Sequence, residues 1–152
     1  MTQQPIAERS VSRRDVSAGS RALFVCVQNA GRSQIAEALF NAMSGGSGQA
    51  RSAGTRPADE VHPHVAAALA ARGFDVSGKI PHRLTEADAD WADIVVTMGC
   101  GDECPVTGKP TEDWALPDPK EMSASDLAQL IDEIGVRVAA LLDRLAHGTT
   151  KA

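Results

Sequence analysis

The sequence predicts an α/β fold, a single domain with a central sheet of four parallel strands flanked by helices. Two observations carry this prediction. Uncharged apolar runs at residues 22–27 and 94–98 are typical of strands that a parallel sheet buries on both faces. Segments with helical spacing of apolar residues lie between and after the strands, and this alternation favours parallel strands joined by helical crossovers. The 152 residues are enough for one sizeable core but few for two.

The first three elements follow one another from residue 22 onward. The apolar run at residues 22–27 is the first predicted strand. A helix follows the next loop, because Ile35, Leu39 and Met43 fall on one face, and the glycine-rich residues 44–48 end it. Residues 50–55 then form a weaker predicted strand.

The second half of the chain contains two further helices and two further strands. Residues 62–72 are alanine-rich and helical, and turns dominate residues 75–85. Residues 94–98 form a predicted strand, and residues 113–116 form a short one. Residues 123–146 carry the longest apolar stripe at helical spacing, so this helix is expected to pack that face against the core.

The loop after the first strand has the pattern of an oxyanion site. Cys26 ends the strand, and Arg32 and Ser33 follow in a Cys-x5-Arg-Ser pattern. Successive backbone N–H groups that lead into a helix can hold an anion. The thiol at the base lies in the same positive field, which favours the nucleophilic thiolate, and Arg32 can hold two oxygens through its planar fork. The predicted oxyanion-binding loop comprises Val27, Gln28, Asn29, Ala30, Gly31, Arg32 and Ser33.

Three further polar or reactive side chains follow predicted strands. Cys100 and Cys104 come after the strand at residues 94–98, and Asp118 comes after the short strand at residues 113–116. In an open parallel sheet the carboxyl ends of the strands meet at one edge, and ligands bind there. All three residues are therefore expected at the same edge as Cys26.

Composition excludes some classes of function. Hydrophobic residues at 43% and charged residues at 23% are ordinary globular values, so a membrane protein is not expected. The formal net charge of -5 argues against a nucleic-acid partner, which requires a basic surface. The three cysteines are an odd number in a chain without a secretion signal, which indicates thiols rather than a structural disulfide framework.

The ends of the chain are polar. No apolar stretch precedes Ala22, so residues 1–20 are interpreted as a mobile N-terminal tail rather than an export signal, and the protein is expected to be cytoplasmic. The domain is expected to span residues 21–148, with residues 149–152 as a C-terminal tail.

Several motifs together resemble a known family. The segment Cys-Val-Gln-Asn-Ala-Gly-Arg-Ser at residues 26–33, with the later Asp118-Pro119, resembles the low-molecular-weight tyrosine phosphatase fold and, within it, the arsenate reductases. Ser-Ala-Gly-Thr at residues 52–55 and Glu-Asp-Trp at residues 112–114 look like the arsenate reductase branch. The Met-Gly-Cys-Gly-Asp-x-Cys-Pro segment at residues 98–105 is most similar to the actinobacterial, mycothiol-linked type.

The resemblance implies a role for each matching residue. Cys26 would attack the arsenic of arsenate, and Arg32 and the loop N–H groups would hold its oxygens. Asp118 would protonate the leaving oxygen as a general acid. Ser33 would donate a hydrogen bond to the thiolate, and Asn29 would fix the shape of the loop. No bound metal or cofactor is implied.

Arsenate reduction requires a second thiol, because one thiol bound to arsenic supplies no net electrons. Cys100 and Cys104 could form an internal relay that thioredoxin reduces, and the flanking Gly99 and Gly101 would let their loop move toward Cys26. In the mycothiol-linked type, a small-molecule thiol attacks instead and works with mycoredoxin, and only the first cysteine is indispensable. The sequence favours the small thiol but leaves both routes open.

Two other functions share the motif. A low-molecular-weight protein tyrosine phosphatase would use Cys26, Arg32 and Asp118 in the same way. Such enzymes usually place aromatic residues beside the Asp-Pro loop, whereas this chain has no tyrosine. A non-catalytic oxyanion-binding regulatory domain would keep the fold and lose the nucleophile or the acid, and both are present here.

A zinc site and an active-site role for Glu37 are not predicted. Cys100 and Cys104 with His82 or His62 would make an incomplete and irregularly spaced zinc ligand set. Glu37 falls among the polar positions of its helix and is interpreted as a surface charge, although the resemblance leaves open that this position supports the loop.

Overall fold

Four parallel strands form the centre of the computed structural model, which describes residues 20–100 and 106–147. The strands are, in chain order, β1 (Ser20–Cys26), β2 (Gly48–Gly54), β3 (Ile94–Thr97) and β4 (Thr111–Asp113). They lie side by side in the order β2-β1-β3-β4. The predicted single-domain α/β fold with a four-stranded parallel sheet is confirmed.

Four helices flank this sheet. They are α1 (Arg32–Met43), α2 (Pro63–Ala70), α3 (Glu86–Trp91) and α4 (Ala124–Ala146). The start of α4 agrees with the sequence prediction, because the Ser123 side chain accepts a hydrogen bond from the backbone N–H of Asp126 and caps the helix. Among the described residues, no helix is both long and apolar enough to cross a membrane.

The two faces of the sheet are covered unequally. The larger core lies on the face that contains the fully buried Phe24, where residues of α1, α2 and α4 pack together. The smaller core contains Leu23, Val25 and Val95, with Trp91 of α3 packed against it. The sequence prediction that the run of β3 is buried on both faces is therefore confirmed.

The fourth strand lies earlier than the sequence predicts. The prediction placed it at residues 113–116, where Trp114 is a strong strand former. The ladder with β3 ends at the pairing of Thr97 with Asp113. Gly99 in the left-handed region (φ 82°) turns the chain away soon after β3. Trp114 instead packs its ring against Phe24 at 5.7 Å between centroids.

The sequence analysis assigned no element to the segment that forms α3. This helix begins with a capping box in which the Thr85 hydroxyl accepts a hydrogen bond from the Asp88 N–H and the Asp88 carboxylate accepts one from the Thr85 N–H. The Thr-x-x-Asp spacing is the sequence signal for such a start. The helix has only 6 residues, so its apolar periodicity is too short to recognise.

One side chain covers the outer edge of β2. The side-chain amide of Asn41, on α1, donates to the carbonyl oxygen of Ala50 at 3.3 Å and accepts from the Ala50 N–H at 2.8 Å. Both backbone groups of this edge residue are therefore hydrogen-bonded within the chain.

The predicted tails fall mainly outside the described residues. Of the predicted tail at residues 1–20, only Ser20 is described, and it begins β1. The predicted C-terminal tail at residues 149–152 lies outside the described ranges, and the boundaries of the domain stay a prediction.

Candidate active site

Cys26 lies at the carboxyl end of β1, where the chain enters the predicted oxyanion-binding loop. It is a free thiol and only 2% exposed. Its Sγ lies 2.9 Å from the hydroxyl oxygen of Ser33 and accepts a hydrogen bond from the backbone N–H of Asn29 at 3.2 Å. Both contacts are suited to stabilise a thiolate, because each can direct a hydrogen towards the sulfur.

The backbone of the loop is oriented by a neighbouring segment. The carbonyl oxygens of four loop residues accept hydrogen bonds of 2.8–3.1 Å from N–H groups of the segment that follows β2. The pairs are Thr55 with Cys26, Arg56 with Val27, Ala58 with Gln28, and His62 with Ala30. In a trans peptide the N–H of the next residue points opposite to the carbonyl. The N–H groups of Val27, Gln28, Asn29 and Gly31 therefore face away from that segment, and the N–H of Asn29 points at the Cys26 sulfur.

The loop leads directly into the N-terminus of α1. Gly31 is the N-cap, and no side chain caps this helix end. The first backbone N–H groups of a helix have no partner within the helix, and the helix dipole adds positive potential there. An oxyanion in the loop would therefore be bound by N–H groups from both the loop and the helix end.

Asn29 fixes the shape of the loop. It is fully buried and has a left-handed backbone (φ 53°), which asparagine tolerates better than most residues. Its side-chain amide donates to the Ser33 hydroxyl at 2.8 Å, and its Oδ1 accepts from the His82 backbone N–H at 3.1 Å. The buried Gln34 donates to the Asn29 carbonyl at 3.1 Å. The Ser33 hydroxyl that contacts Cys26 is thus held in place by a buried polar network.

Arg32 is the first residue of α1 and is 6% exposed. Its Nη1 donates to the carbonyl oxygen of Leu116 at 3.0 Å, two residues before Asp118. Gly99, which precedes Cys100, packs so closely on the guanidinium that a methyl group at Gly99 would lie 2.3 Å from Nη1. Arg32 therefore joins the loop to the two segments that carry the other candidate residues.

Asp118 approaches the loop through its neighbour Pro119. A methyl group at Gly31 would lie 2.6 Å from Pro119 Cγ, so this close packing requires a glycine in the loop. Asp118 is exposed, and its Oδ1 accepts a hydrogen bond from the Lys120 backbone N–H at 2.9 Å. The contact orients the carboxylate at the start of a short 3₁₀ helix, Pro119–Glu121.

Two histidines at the start of α2 lie beside the Asp118 segment. The backbone N–H of His62 donates to the carbonyl of Ala30 at 2.9 Å, and its ring stacks on that of His64 with centroids 5.8 Å apart. His64 Nε2 lies 2.8 Å from the Pro119 carbonyl oxygen, its hydrogen-bond acceptor. Burial lowers the pKa of His62 below its ordinary value of 6.5, and the negative charge of Asp118 partly offsets this effect.

Cys100 directly follows Gly99, the residue that packs against Arg32. Cys100 is 5% exposed and is disulfide-bonded, which differs from the free thiol that the sequence analysis expects. Cys104 and Gly101 lie outside the described residues. Within the described ranges, no group of three or more His, Cys, Asp or Glu side chains is arranged to hold a metal ion.

The sequence interpretation of Glu37 as a surface charge is wrong. Glu37 is only 7% exposed, accepts a hydrogen bond from the Ser52 hydroxyl at 2.5 Å and forms an ion pair with Lys79. Ser52 and Lys79 come from distant parts of the sequence. A helix-position argument treats a carboxylate as solvated, and only the tertiary structure supplies these partners.

Other residues near the loop were also missed by the sequence analysis. Gln34 follows Ser33 directly, but a glutamine in the first turn of a helix has no distinctive pattern. His62 was treated as a helix entry, which its N-cap position before Pro63 bears out, but its proximity to Asp118 was not predicted. Gly99 was expected to act as a hinge, whereas the structure places it against Arg32. The sequence feature that could have indicated this role is that Gly99 lies next to Cys100, directly after a predicted strand.

Comparisons with known proteins agree with this geometry. The model of the family described as "Low molecular weight phosphotyrosine protein phosphatase" matches residues 21–151. A Synechocystis protein named "Glutaredoxin arsenate reductase" is 31% identical over 130 residues, which cover 83% of this chain and 98% of that protein.

Two solved structures extend the comparison. The thioredoxin-dependent arsenate reductase of Corynebacterium glutamicum superposes with a TM-score of 0.72 at 40% identity over 86% of this chain, and the match spans 63% of that longer chain. An arsenate reductase from Archaeoglobus fulgidus superposes with a TM-score of 0.72 at 37% identity, over 80% of this chain and 98% of that one.

The match to the family model covers every strand and helix in the described residues except Ser20, the first residue of β1. The relatives are similar over most of the same residues, and the fold of the solved structures is the one described above. The chain therefore belongs to the low molecular weight phosphotyrosine protein phosphatase family.

Proposed function

We propose that the chain reduces arsenate to arsenite. Cys26 is the nucleophile, Arg32 and the inward N–H groups of the loop bind the oxyanion, and Asp118 is the general acid. The named functions of the similar proteins support the substrate. The hydrogen bond from the Asn29 N–H to the Cys26 sulfur, and the Ser33 hydroxyl 2.9 Å from that sulfur, support the thiolate as the reactive form.

One observation favours reduction over hydrolysis. Gly99 packs against the Arg32 guanidinium, so its neighbour Cys100, which is disulfide-bonded, belongs to a segment that contacts the oxyanion site. A phosphatase needs one thiol, whereas a reductase needs a second thiol within reach of the first. Cys100, which takes part in a disulfide in that segment, is our candidate for the second thiol.

The chemical steps balance as follows. The Cys26 thiolate attacks the arsenic of arsenate, and a hydroxide leaves as water after it takes a proton from Asp118. A second thiolate then attacks the Cys26 sulfur. The sulfur–arsenic bond breaks and its electron pair stays on arsenic, which leaves as arsenite while a disulfide forms. The two thiols have supplied the two electrons, and a thiol reductant regenerates them.

Two reductants can complete this cycle. Thioredoxin would reduce a disulfide that Cys26 and the segment with Cys100 and Cys104 form internally, and the disulfide-bonded state of Cys100 favours this route. A small thiol such as mycothiol would replace the internal thiol, with mycoredoxin as its partner, and the motif at residues 98–105 favours that route. In both cases the partner is a thiol.

Purified protein with arsenate tests the proposal. Consumption of NADPH is followed with thioredoxin and its reductase in one assay and with mycothiol, mycoredoxin and its reductase in another. Turnover in either assay supports arsenate reduction and identifies the reductant. No turnover in either, together with rapid hydrolysis of an aryl phosphate, would replace the reductase by a phosphatase. Arsenate binding with neither activity would indicate a non-catalytic oxyanion-binding domain.

Cysteine variants separate the two routes. Cys26→Ser should abolish turnover in both assays. Cys100→Ser and Cys104→Ser discriminate further, because each removes one candidate relay thiol and keeps Cys26. If the relay is internal, at least one of the two loses turnover with thioredoxin, whereas both should keep full turnover with mycothiol if the small thiol attacks.

A further inference from the structure

Gly99 lies where three segments of the candidate site meet. Its backbone has a left-handed conformation (φ 82°). A methyl group at this position would lie 2.3 Å from Nη1 of Arg32 and 3.0 Å from the carbonyl oxygen of Leu116. The guanidinium therefore occupies the space that a side chain at Gly99 would fill.

The same nitrogen of Arg32 is also held by a hydrogen bond. Nη1 of Arg32 donates to the Leu116 carbonyl at 3.0 Å, and the residue is 6% exposed. A backbone carbonyl can hold one nitrogen of the fork and leave the others for an oxyanion. Gly99 and the Leu116 carbonyl thus limit where Arg32 can present its remaining donors.

We propose that Gly99 is a positioning residue for the oxyanion, which acts by leaving room for the Arg32 guanidinium against the Leu116 carbonyl. The inference rests on the proposed function, because it concerns the arginine that would bind arsenate. It assigns to Gly99 a role different from a hinge for the cysteine segment.

The physical effect of a side chain at this position can be separated from a loss of folding. The closest clash, at 2.3 Å, is with the far end of a flexible side chain, so Arg32 can swing away while the backbone stays in place. The Leu116 carbonyl at 3.0 Å needs only a small adjustment. Gly99→Ala should therefore yield a folded protein with a displaced arginine.

Gly108→Ala is the matched control. Gly108 lies in the same connection between β3 and β4 and has a nearly identical left-handed backbone (φ 79°), but a methyl group there would have no neighbour within 4 Å among the described residues. This variant reproduces the backbone strain and the stiffening of the connection without the contact to Arg32.

Inorganic phosphate is the probe, and protection of Cys26 against iodoacetamide is the readout. The extent of alkylation is measured by mass spectrometry of the peptide that contains Cys26. For Gly99→Ala, the phosphate concentration that gives half-maximal protection should rise between roughly tenfold and a hundredfold, the effect of losing a hydrogen bond to a charged group. The protection by phosphate is expressed relative to each variant's own alkylation rate without phosphate, because a displaced guanidinium also changes the positive field at the Cys26 sulfur. Gly108→Ala should match the unaltered protein in both measurements.

A double variant tests whether Gly99 acts through Arg32. Arg32→Ala alone should weaken protection strongly, and adding Gly99→Ala to it should cause no further loss, since the group that the methyl displaces is already absent. Additive losses would overturn the proposal. An unchanged midpoint for Gly99→Ala, or an equal effect in Gly108→Ala, would also overturn it.

A failure of the Gly99 proposal can be distinguished from a failure of the proposed arsenate reduction. Phosphate protection does not require turnover, so the effect of Gly99→Ala is measurable even if arsenate is not reduced. If the unaltered protein is protected by neither phosphate nor arsenate, the oxyanion site itself is refuted, and both proposals fall together.

Discussion

At the scale of single residues, the candidate site depends on buried polar side chains that form hydrogen bonds with one another close to Cys26. Asn29 holds the Ser33 hydroxyl while its own backbone N–H contacts the sulfur. Gln34 holds the Asn29 carbonyl. A polar network of this kind is strongly position-specific, because each buried group that loses its partner carries a desolvation cost of about 1–3 kcal/mol.

His62 provides a pH-dependent probe of the Asp118 segment. Its pKa lies below 6.5, first because burial disfavours the charged ring, and the negative charge of Asp118 acts in the opposite direction. Because folding lowers this pKa, the unfolded chain binds more protons in acid. The contribution of His62 to stability is therefore full above pH 6.5 and is lost as the pH falls through the folded-state pKa.

Asp118→Asn should lower the pKa of His62 further, because it removes the charge that raises it. NMR titration of the His62 ring measures this shift. Asp143→Asn is the control, since it removes an equal charge on α4, beside the opposite edge of the sheet where β1 and β2 begin. A pKa of His62 that rises or stays constant in Asp118→Asn would show that the two side chains do not interact.

The residue scale also shows what sequence reasoning could and could not reach. Cys26, Arg32 and Ser33 are recognisable because their spacing is local, and the strand, loop and helix that present them are continuous in sequence. The contact of Arg32 with Leu116 and Gly99 joins segments far apart in the chain. No local pattern encodes such a contact, so a glycine that packs against an arginine looked like a flexible hinge.

At the scale of elements, a bidentate ion pair connects β4 to α4. Both guanidinium nitrogens Nη1 and Nη2 of Arg144 donate to the carboxylate of Glu112, which also accepts from the Trp114 indole N–H at 3.0 Å. The hydrogen bond with Glu112 holds the pKa of Arg144 above its usual range. The Glu112 side chain is 13% exposed and that of Arg144 27%, so water screens this pair less than a surface pair.

Glu112→Gln should reduce the free energy of unfolding by about 1–3 kcal/mol, because a largely buried guanidinium loses its counter-charge. Urea denaturation measures the change. Glu133→Gln is the matched control, because it breaks a pair with Arg137 whose side chains are 49% and 36% exposed. The control should change stability by less than about 0.5 kcal/mol. Equal effects in the two variants would contradict the account.

The elements differ in how well the sequence reveals them. The prediction for α4 is accurate because its 23 residues contain several repeats of the apolar stripe and a capping serine. The 3-residue β4 contains too few alternations of polar and apolar residues to fix its position. The prediction was therefore centred on the apolar Trp114 and placed the strand two residues too late. The boundaries of an element can be predicted from the sequence when its periodic pattern of apolar residues is long. Burial of a single residue does not locate them.

At the scale of the whole molecule, β1 connects the parts of the larger core. Phe24 is fully buried, and its ring lies 6.0 Å from that of Phe40 on α1 and 5.7 Å from that of Trp114 after β4. The central strand thus touches the helix that follows the oxyanion loop and the segment that leads to Asp118. Packing at Phe24 and the geometry of the site depend on the same contacts.

Phe24→Ala should destabilise the protein by about 3–5 kcal/mol, the cost of the lost burial and the cavity left behind. Circular dichroism and tryptophan fluorescence should report the same denaturation midpoint, since a single domain unfolds cooperatively. Val136→Ala, at a position 67% exposed on α4, should change stability by less than about 0.5 kcal/mol. Separate midpoints for the two probes would show that the sheet and its helices unfold independently.

The contact between Asn41 and Ala50 has a consequence for how copies of the chain behave toward one another. β2 lies at the end of the strand order and has 7 residues, a length at which an edge strand can recruit a strand from another molecule and start aggregation. Ala50 lies near the middle of that edge, and its N–H and C=O are already bonded to the Asn41 amide. An incoming strand would have to break two hydrogen bonds before it could pair there. The Asn41 side chain thus protects the middle of this edge from intermolecular pairing, while the carboxyl ends of the strands stay open for chemistry.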